Sequence, residues 1–197
     1  MKIKFVYSGV YDKRFKESPR LQRILKKQNR KYPPLNIIWR YLKEMKKRWP
    51  KYEEKILREI SKLTKLKWQE KEVKCYIIGA GKSFSDPLTV RYFKNKNDFI
   101  DTLIHELIHQ IQTQNRKKVK KWYDYIKKKY KKESILTQNH IIVHAVHYKL
   151  LENFFGKRRL NKQIKRHKEF PDYKRAWEIV EEETPKEIIK KFREFTK

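Results

Sequence analysis

Two histidines four positions apart, His105 and His109, are the residues of this sequence best suited to chemistry. On a helix that spacing places both imidazoles on one face, about one turn apart. Two neutral imidazole nitrogens can then bind one zinc ion at about 2.0–2.1 Å. The spacing therefore predicts a zinc site on a helix that runs from about Asp98 to Gln114.

Glu106 follows the first histidine directly and is displaced from it around the helix, so it need not bind the metal. It is positioned to take a proton from a metal-activated water that attacks a peptide carbonyl, and to pass that proton to the leaving amine. The alternative is that His105 and His109 are core histidines satisfied by hydrogen bonds. The almost uninterrupted apolar flanks bury the helix and favour metal binding, since a buried helix carries such polar groups at a cost.

A catalytic zinc site needs a third protein ligand, and a second group of histidines offers one. At about 100° per residue, His140, His144 and His147 lie on one helix face and span about 10 Å, so one of them is expected level with the zinc. The spacing leaves open which of the three is the third ligand, and the other two are then supporting groups or alternative ligands. Asp101, four residues before His105, is a candidate to orient a ligand.

The motif from His105 to His109 resembles the signature of the zincin metallopeptidases. Asn139 and His140, with His144 four residues later, are similar in spacing to the second helix of the gluzincins, where an Asn-Glu pair is followed by Asp. The resemblance implies that His140 occupies the place of the ligand and His144 that of the supporting residue. It also implies that an edge strand, here Leu88 to Phe93, binds substrate in extended form.

The sequence departs from both zincin subgroups. Gluzincins use Glu as the third ligand where this chain offers His, and the glycine and third histidine of the metzincins are absent from Gln110 to Arg116. Two carboxylates, Glu133 and Glu152, are further alternatives for the third ligand. The resemblance covers roughly residues 73–155, and the small size is similar to that of minimal gluzincin-like peptidases of archaea.

The elements that position these residues indicate an α+β fold, mainly helical with a small sheet. Alternating apolar residues predict strands over Ile3 to Tyr7, Val73 to Ile78 and Leu88 to Phe93. Helical spacing and caps predict helices over about 19–32, 35–49, 52–66, 98–114, 117–132 and 137–156. Two more helices are expected in the tail, the second opening at Thr184 and Pro185.

The length predicts one zincin-like domain over residues 1–197. Within it we expect an N-terminal strand and basic helices over 1–70, a catalytic core over 73–156, and C-terminal helices over 157–197. The single cysteine, Cys75, excludes an intrachain disulfide and reads as a buried structural thiol. No apolar run is long enough to span a membrane, and the charged start does not fit a signal peptide, so a cytoplasmic location is expected.

The formal net charge of +30, from 53 Lys and Arg against 23 Asp and Glu, would attract polyanions or acidic proteins. Solvated lysine-rich helices of a thermophile are the competing explanation. The main hypothesis is a metallopeptidase acting on peptides or proteins. The alternatives are a basic nucleic-acid-associated protein with a zincin fold, possibly a protease of DNA-bound proteins, and an inactive zincin with structural zinc. Intact Glu106 argues against the last.

Overall fold

Ten helices and one four-stranded sheet form the protein in a computed structural model that describes residues 1–197. The expected α+β, mainly helical fold is confirmed. The strands are β1 (Lys2–Val6), β2 (Glu72–Ile78), β3 (Phe84–Ser85) and β4 (Leu88–Arg91). The helices are α1 (Gly9–Lys16), α2 (Pro19–Lys27), α3 (Leu35–Arg48), α4 (Pro50–Thr64), α5 (Lys96–Thr113), α6 (Arg116–Lys129), α7 (Ile135–Phe155), α8 (Lys157–His167), α9 (Pro171–Glu183) and α10 (Pro185–Phe195).

The chain divides into two compact units. The first comprises Met1–Glu54 and Glu70–Leu107, and the second comprises Lys55–Gln69 and Ile108–Lys197. Helix α5 is continuous through Leu107, so its residues belong to both units. The prediction of a single domain with segments ending near 70 and 156 stays a prediction.

The sheet of the first unit has the order β1-β2-β4-β3, with β1, β2 and β4 parallel and β3 antiparallel to β4. Along β1 the burial alternates, so that Ile3 and Phe5 point into the core. The expectation that the strand before α5 is an edge strand is wrong. The chain turns back before β4, and β3 pairs with it through Phe84 and Ser85.

The core of the first unit lies where α3 and α5 carry aromatic side chains against the sheet. The ring centroid of Phe99 on α5 lies 5.9 Å from that of Phe5 and 5.5 Å from that of Tyr41. Cys75 on β2 is fully buried, as expected for a structural thiol. These contacts fix the first half of α5.

Helix α7 is the central helix of the second unit and packs against α6, α8, α9 and α10. Nearly its whole circumference is buried, including Ile142, Val146 and Leu150. A helix that is apolar all round is expected only in such an interior position. The polar side chains of α7, including its three histidines, are therefore buried as well.

Several local signals in the sequence are confirmed as helix ends. Ser18 caps α2 ahead of Pro19, and Thr184 accepts a hydrogen bond from the backbone N–H of Glu187 at the start of α10. Gly156 ends α7 with a φ of 80°. Helix α1 was not predicted, and the tail holds three helices where two were expected. No helix combines the length and apolar character that crossing a bilayer requires.

Candidate metal centre

Helix α5 carries the motif in a fully apolar setting. Asn95 accepts a hydrogen bond from the backbone N–H of Asn97 at 2.9 Å and so caps the helix. The flanking side chains expected to be buried have no exposed surface: Phe99, Ile100, Leu103, Ile104, Leu107, Ile108 and Ile111. His105 is 4% exposed among them, whereas His109 is half-buried.

The second group of histidines lies on α7. Ser134 caps this helix by accepting a hydrogen bond from the backbone N–H of Thr137 at 3.0 Å. His140 is 4% exposed, and His144 and His147 are fully buried. The alternative of a solvated polar face on this helix is therefore excluded.

His109 and His140 approach each other through their Nε2 atoms, which lie 3.3 Å apart. Two nitrogens bound to one tetrahedral metal ion at about 2.0–2.1 Å, the zinc–imidazole distance, lie roughly 3.3–3.4 Å apart. The observed distance between the two Nε2 atoms therefore matches the distance expected between two imidazole nitrogens bound to one ion. The ring planes are inclined at 72°, so the two rings meet edge to face and do not stack.

The other ring nitrogen of His140 is held by the backbone. Its Nδ1 lies 2.7 Å from the carbonyl oxygen of Leu136, one helical turn earlier. Because a carbonyl can only accept, Nδ1 carries the proton, and in the neutral ring Nε2 keeps its lone pair. A metal-binding histidine usually has this arrangement, in which the second nitrogen donates to a carbonyl or carboxylate.

Two sets of three histidines bring ligand nitrogens within 4.8 Å of one another. One set is His105, His109 and His140, and the other is His105, His144 and His167. Buried histidines of this protein can therefore hold a metal ion. The first set is the one predicted from the sequence.

The second set is less suited to a metal ion. His167 Nδ1 accepts a hydrogen bond from the indole N–H of Trp177 at 3.3 Å, and its Nε2 lies 2.7 Å from the Gln163 amide. Metal binding by His167 would require one of these hydrogen bonds to break. The ring of His144 stacks on Trp177, with centroids 4.3 Å apart and an interplanar angle of 10°. The first set, His105, His109 and His140, is therefore the better suited of the two to hold a metal ion.

Burial favours the neutral form of His144 and His167. Burial, followed by the neighbouring His167 and His140, holds the pKa of His144 well below its usual value. Burial and the neighbouring His147 do the same for the pKa of His167. Neutral imidazoles add no positive charge next to a cation, so the cluster tolerates a metal ion electrostatically.

Glu106 is 7% exposed and lies on α5 away from the face of the two motif histidines. Burial raises the pKa of this carboxyl from 4.5 to about 8, and the positive charge of Lys82 opposes the shift. Burial, and then the charge of Glu106, raise the pKa of the Cys75 thiol. Glu106 is thus a buried carboxyl beside the proposed ligands and in neither set of possible ligands.

The other predicted residues lie outside both ligand sets. Asp101 is buried on α5, one turn before His105, and its orienting role stays a prediction. His147 lies beside His167, with ring centroids 6.2 Å apart. The two carboxylates considered as alternative ligands form ion pairs with basic side chains instead. Glu133 pairs with Arg175 at 2.8 Å, and Glu152 pairs with Lys149 at 2.6 Å.

Two residues near the centre were not predicted, His167 at the end of α8 and Tyr173 on α9. The Tyr173 ring lies 4.4 Å from that of His140 and 5.5 Å from that of His167, measured between centroids. With His167 included, all 6 histidines of the chain lie on α5, α7 and α8 around one buried region. The only sequence feature that could have drawn attention to His167 is that it is the one histidine outside the two groups on α5 and α7.

An open cavity of about 600 Å³ adjoins the proposed ligand His109. The end of α5, the first turns of α6 and Asn139 of α7 line it. His109, the half-buried member of the first ligand set, is therefore accessible from this cavity.

Comparisons of the chain with protein-family models, with curated proteins and with solved structures found no match.

Proposed function

We propose that the protein is a zinc-dependent metallopeptidase whose ligands are His105, His109 and His140. The observation that carries the proposal is the 3.3 Å separation of the Nε2 atoms of His109 and His140. His105 offers a third nitrogen within 4.8 Å, and three imidazoles with one open position are a donor set typical of catalytic zinc. The resemblance of the motif to that of the zincins supports the same assignment.

A bound zinc ion would supply a Lewis acid and lower the pKa of water in its open position. The residues of the chain have three tasks around it. His140 is kept in one tautomer by the carbonyl of Leu136. With its carboxyl ionised, Glu106, buried and off the ligand face, would accept the proton of the attacking water and deliver it to the amine of the cleaved peptide. A bound cation would favour that ionised form and so oppose the effect of burial on the pKa of Glu106. The apolar flanks of α5 keep bulk water away from this proton transfer.

Replacement of Glu106 separates catalysis from metal binding. We expect Glu106→Gln to retain zinc and the fold, because Glu106 is not a ligand, and to lose on the order of 10²–10⁴ in the rate of peptide hydrolysis. The measurements are zinc content by elemental analysis, thermal unfolding, and cleavage of a denatured protein substrate with and without chelator.

Glu152→Gln serves as the matched control, since Glu152 pairs with Lys149 away from both ligand sets. It should leave both zinc content and hydrolysis unchanged. Zinc loss in Glu106→Gln would mean that Glu106 is a ligand, and undiminished hydrolysis would mean that it is not the base.

A second candidate function is binding of nucleic acid, favoured by the formal net charge of +30. The two functions are compatible, because a protease with this surface would be concentrated on proteins bound to DNA.

A further inference from the structure

The outer face of helix α3 carries charged side chains of one sign. Its four exposed cations are Arg40, Lys43, Lys46 and Lys47. None of them forms an ion pair or a hydrogen bond with another side chain. The only acidic residue of α3, Glu44, pairs with Lys96 at 3.4 Å. This face therefore holds positive charge that no residue of the chain neutralises.

A large aromatic side chain lies among these cations. Trp39 is 45% exposed, and at about 100° per residue it falls within the same arc of α3 as the four basic residues. Leu35, one turn before Trp39, is 51% exposed, so the exposed apolar surface extends along the helix. The other four tryptophans of the chain are buried or half-buried, namely Trp49, Trp68, Trp122 and Trp177.

Neighbouring side chains hold Trp39 in position. Its ring packs against that of Tyr7, with centroids 5.3 Å apart, and the Tyr7 hydroxyl donates a hydrogen bond to Asp12 Oδ2 at 3.2 Å. On the inner face of α3, the ring of Tyr41 lies 5.5 Å from that of Phe99, which fixes the helix itself. A side chain that is already ordered loses little conformational freedom when a ligand binds to it.

An ordered aromatic ring among unpaired cations suits a nucleic-acid strand whose bases are not paired. Bases of a single strand stack on aromatic side chains, while basic side chains beside the ring bind the phosphates. In a duplex the base faces are covered by neighbouring bases, so a duplex can use the cations of α3 but not the indole. An anionic membrane would require a broad apolar face, whereas Leu35 and Trp39 are the only large apolar side chains that α3 exposes.

We propose that the outer face of α3 binds single-stranded nucleic acid, with Trp39 stacked on a base and with Arg40 and Lys43 bound to phosphates. The inference rests on the second candidate function, binding of nucleic acid, and is independent of the peptidase. It assigns to that function one surface of the first unit and a ligand with unpaired bases.

Quenching of tryptophan fluorescence tests the stacking, because Trp39 is the one exposed tryptophan. The full chain is titrated with single-stranded oligothymidine of about 12 nucleotides, and separately with a duplex of equal length, at about 50 mM salt. We expect the single strand to quench the fluorescence of Trp39. Trp39→Leu should abolish this quenching and weaken binding, followed by fluorescence anisotropy, by about fivefold or more. Trp39→Phe keeps a ring for stacking and should retain most of the affinity.

The phosphate contacts are tested by removing one cation. Lys43→Gln should reduce the slope of log Kd against log salt concentration by about 0.7, the change expected for one phosphate contact with a single strand. Lys186→Gln is the matched control, because it removes the same charge from an exposed lysine of α10 that also has no ion-pair partner. The control should leave both the slope and the quenching unchanged.

Four results would overturn the inference. Undiminished binding of the single strand by Trp39→Leu would move the nucleic acid to another basic surface and leave the second candidate function intact. A duplex that quenches Trp39 as strongly as the single strand would exclude base stacking. Quenching by vesicles of anionic phospholipid, but not by the single strand, would assign α3 to a membrane surface. Absence of binding to either nucleic acid at about 50 mM salt would reject the inference and the second candidate function together.

Discussion

Both ring nitrogens of His140 have a defined neighbour, and this favours the first set of histidines as the proposed metal site. The Leu136 carbonyl holds Nδ1 at 2.7 Å, so Nε2 is the nitrogen that faces His109. His167 has its two nitrogens engaged by Trp177 and Gln163 instead. The Nε2 contact of His140 is made to His109, itself a proposed ligand, whereas a metal ion at His167 would first have to break a hydrogen bond to Trp177 or Gln163.

Single substitutions distinguish the two sets of histidines. We expect His140→Ala to lower the zinc-to-protein ratio from about one towards zero, because it removes one of three protein ligands. His144→Ala should retain the zinc, since His144 supports the site from behind. His147→Ala is the control, as His147 is buried on the same helix and lies outside both sets.

Elemental analysis after dialysis gives the ratio, and circular dichroism verifies that each variant is folded. Zinc retained by His140→Ala but lost from His144→Ala and His167→Ala would move the metal to the second set. The spacing analogy with gluzincins would then be wrong.

The spacing within α5 made the motif histidines recognisable, and the spacing within α7 placed His140, His144 and His147 on one face. The choice of His140 came from the resemblance to the gluzincins and not from the spacing. His167 and Tyr173 could not be predicted, because they reach the site through the packing of α8 and α9 on α7. The spacing of apolar residues within α8 and α9 does not indicate where these helices pack on α7.

The junction of α7 and α8 depends on one glycine. Gly156 ends α7 and precedes α8, with φ 80° and ψ 167°. Side chains other than that of glycine rarely adopt this backbone region, which costs them about 1–3 kcal/mol. The position of α8, and with it that of His167, relies on this conformation.

We expect Gly156→Ala to lower the free energy of unfolding by about 1–3 kcal/mol. A β-carbon at Gly156 meets no atom within 4 Å, so the effect comes from the backbone and not from a clash. Urea denaturation followed by circular dichroism measures it. Gly9→Ala is the control, since Gly9 is helical, has no positive φ, and its β-carbon would lie 3.9 Å from the nearest ring atom.

Gly9→Ala should be neutral or slightly stabilising, as alanine favours helices over glycine. Equal effects of the two substitutions would show that the conformation of Gly156 is not the cause.

Helix caps and apolar spacing made most elements predictable, including Ser18 with α2 and Gly156 with α7. Three tail helices formed where two were expected, and α8 gives the weakest sequence signal because few of its residues are apolar and only Leu160, Gln163 and His167 are buried. Helix α1 was missed for a similar reason, since Asp12 is its one buried residue. Both helices form through tertiary contacts that their own sequences do not encode.

The whole molecule carries 53 Lys and Arg against 23 Asp and Glu, so a net charge of +30 is left without acidic residues to neutralise it. Many of the observed ion pairs are exposed, such as Lys120 with Asp124, and contribute little stability. We therefore expect the excess positive charge to influence partner binding and association rates more than the stability of the fold.

We expect double-stranded DNA to bind with little sequence preference and with an affinity that falls steeply between about 50 and 200 mM salt. Fluorescence anisotropy with two unrelated duplexes measures both properties. Absence of binding to DNA and to heparin at about 50 mM salt would leave thermal adaptation as the explanation of the charge.

The central claim is the position of the metal, and an anomalous-scattering map at the zinc edge tests it most directly. In crystals of the protein prepared with zinc, we expect one peak at about 2.0–2.1 Å from the Nε2 atoms of His109 and His140 and from a ring nitrogen of His105. A peak between His144 and His167, or no peak at the histidines, would contradict the proposed site and the function built on it.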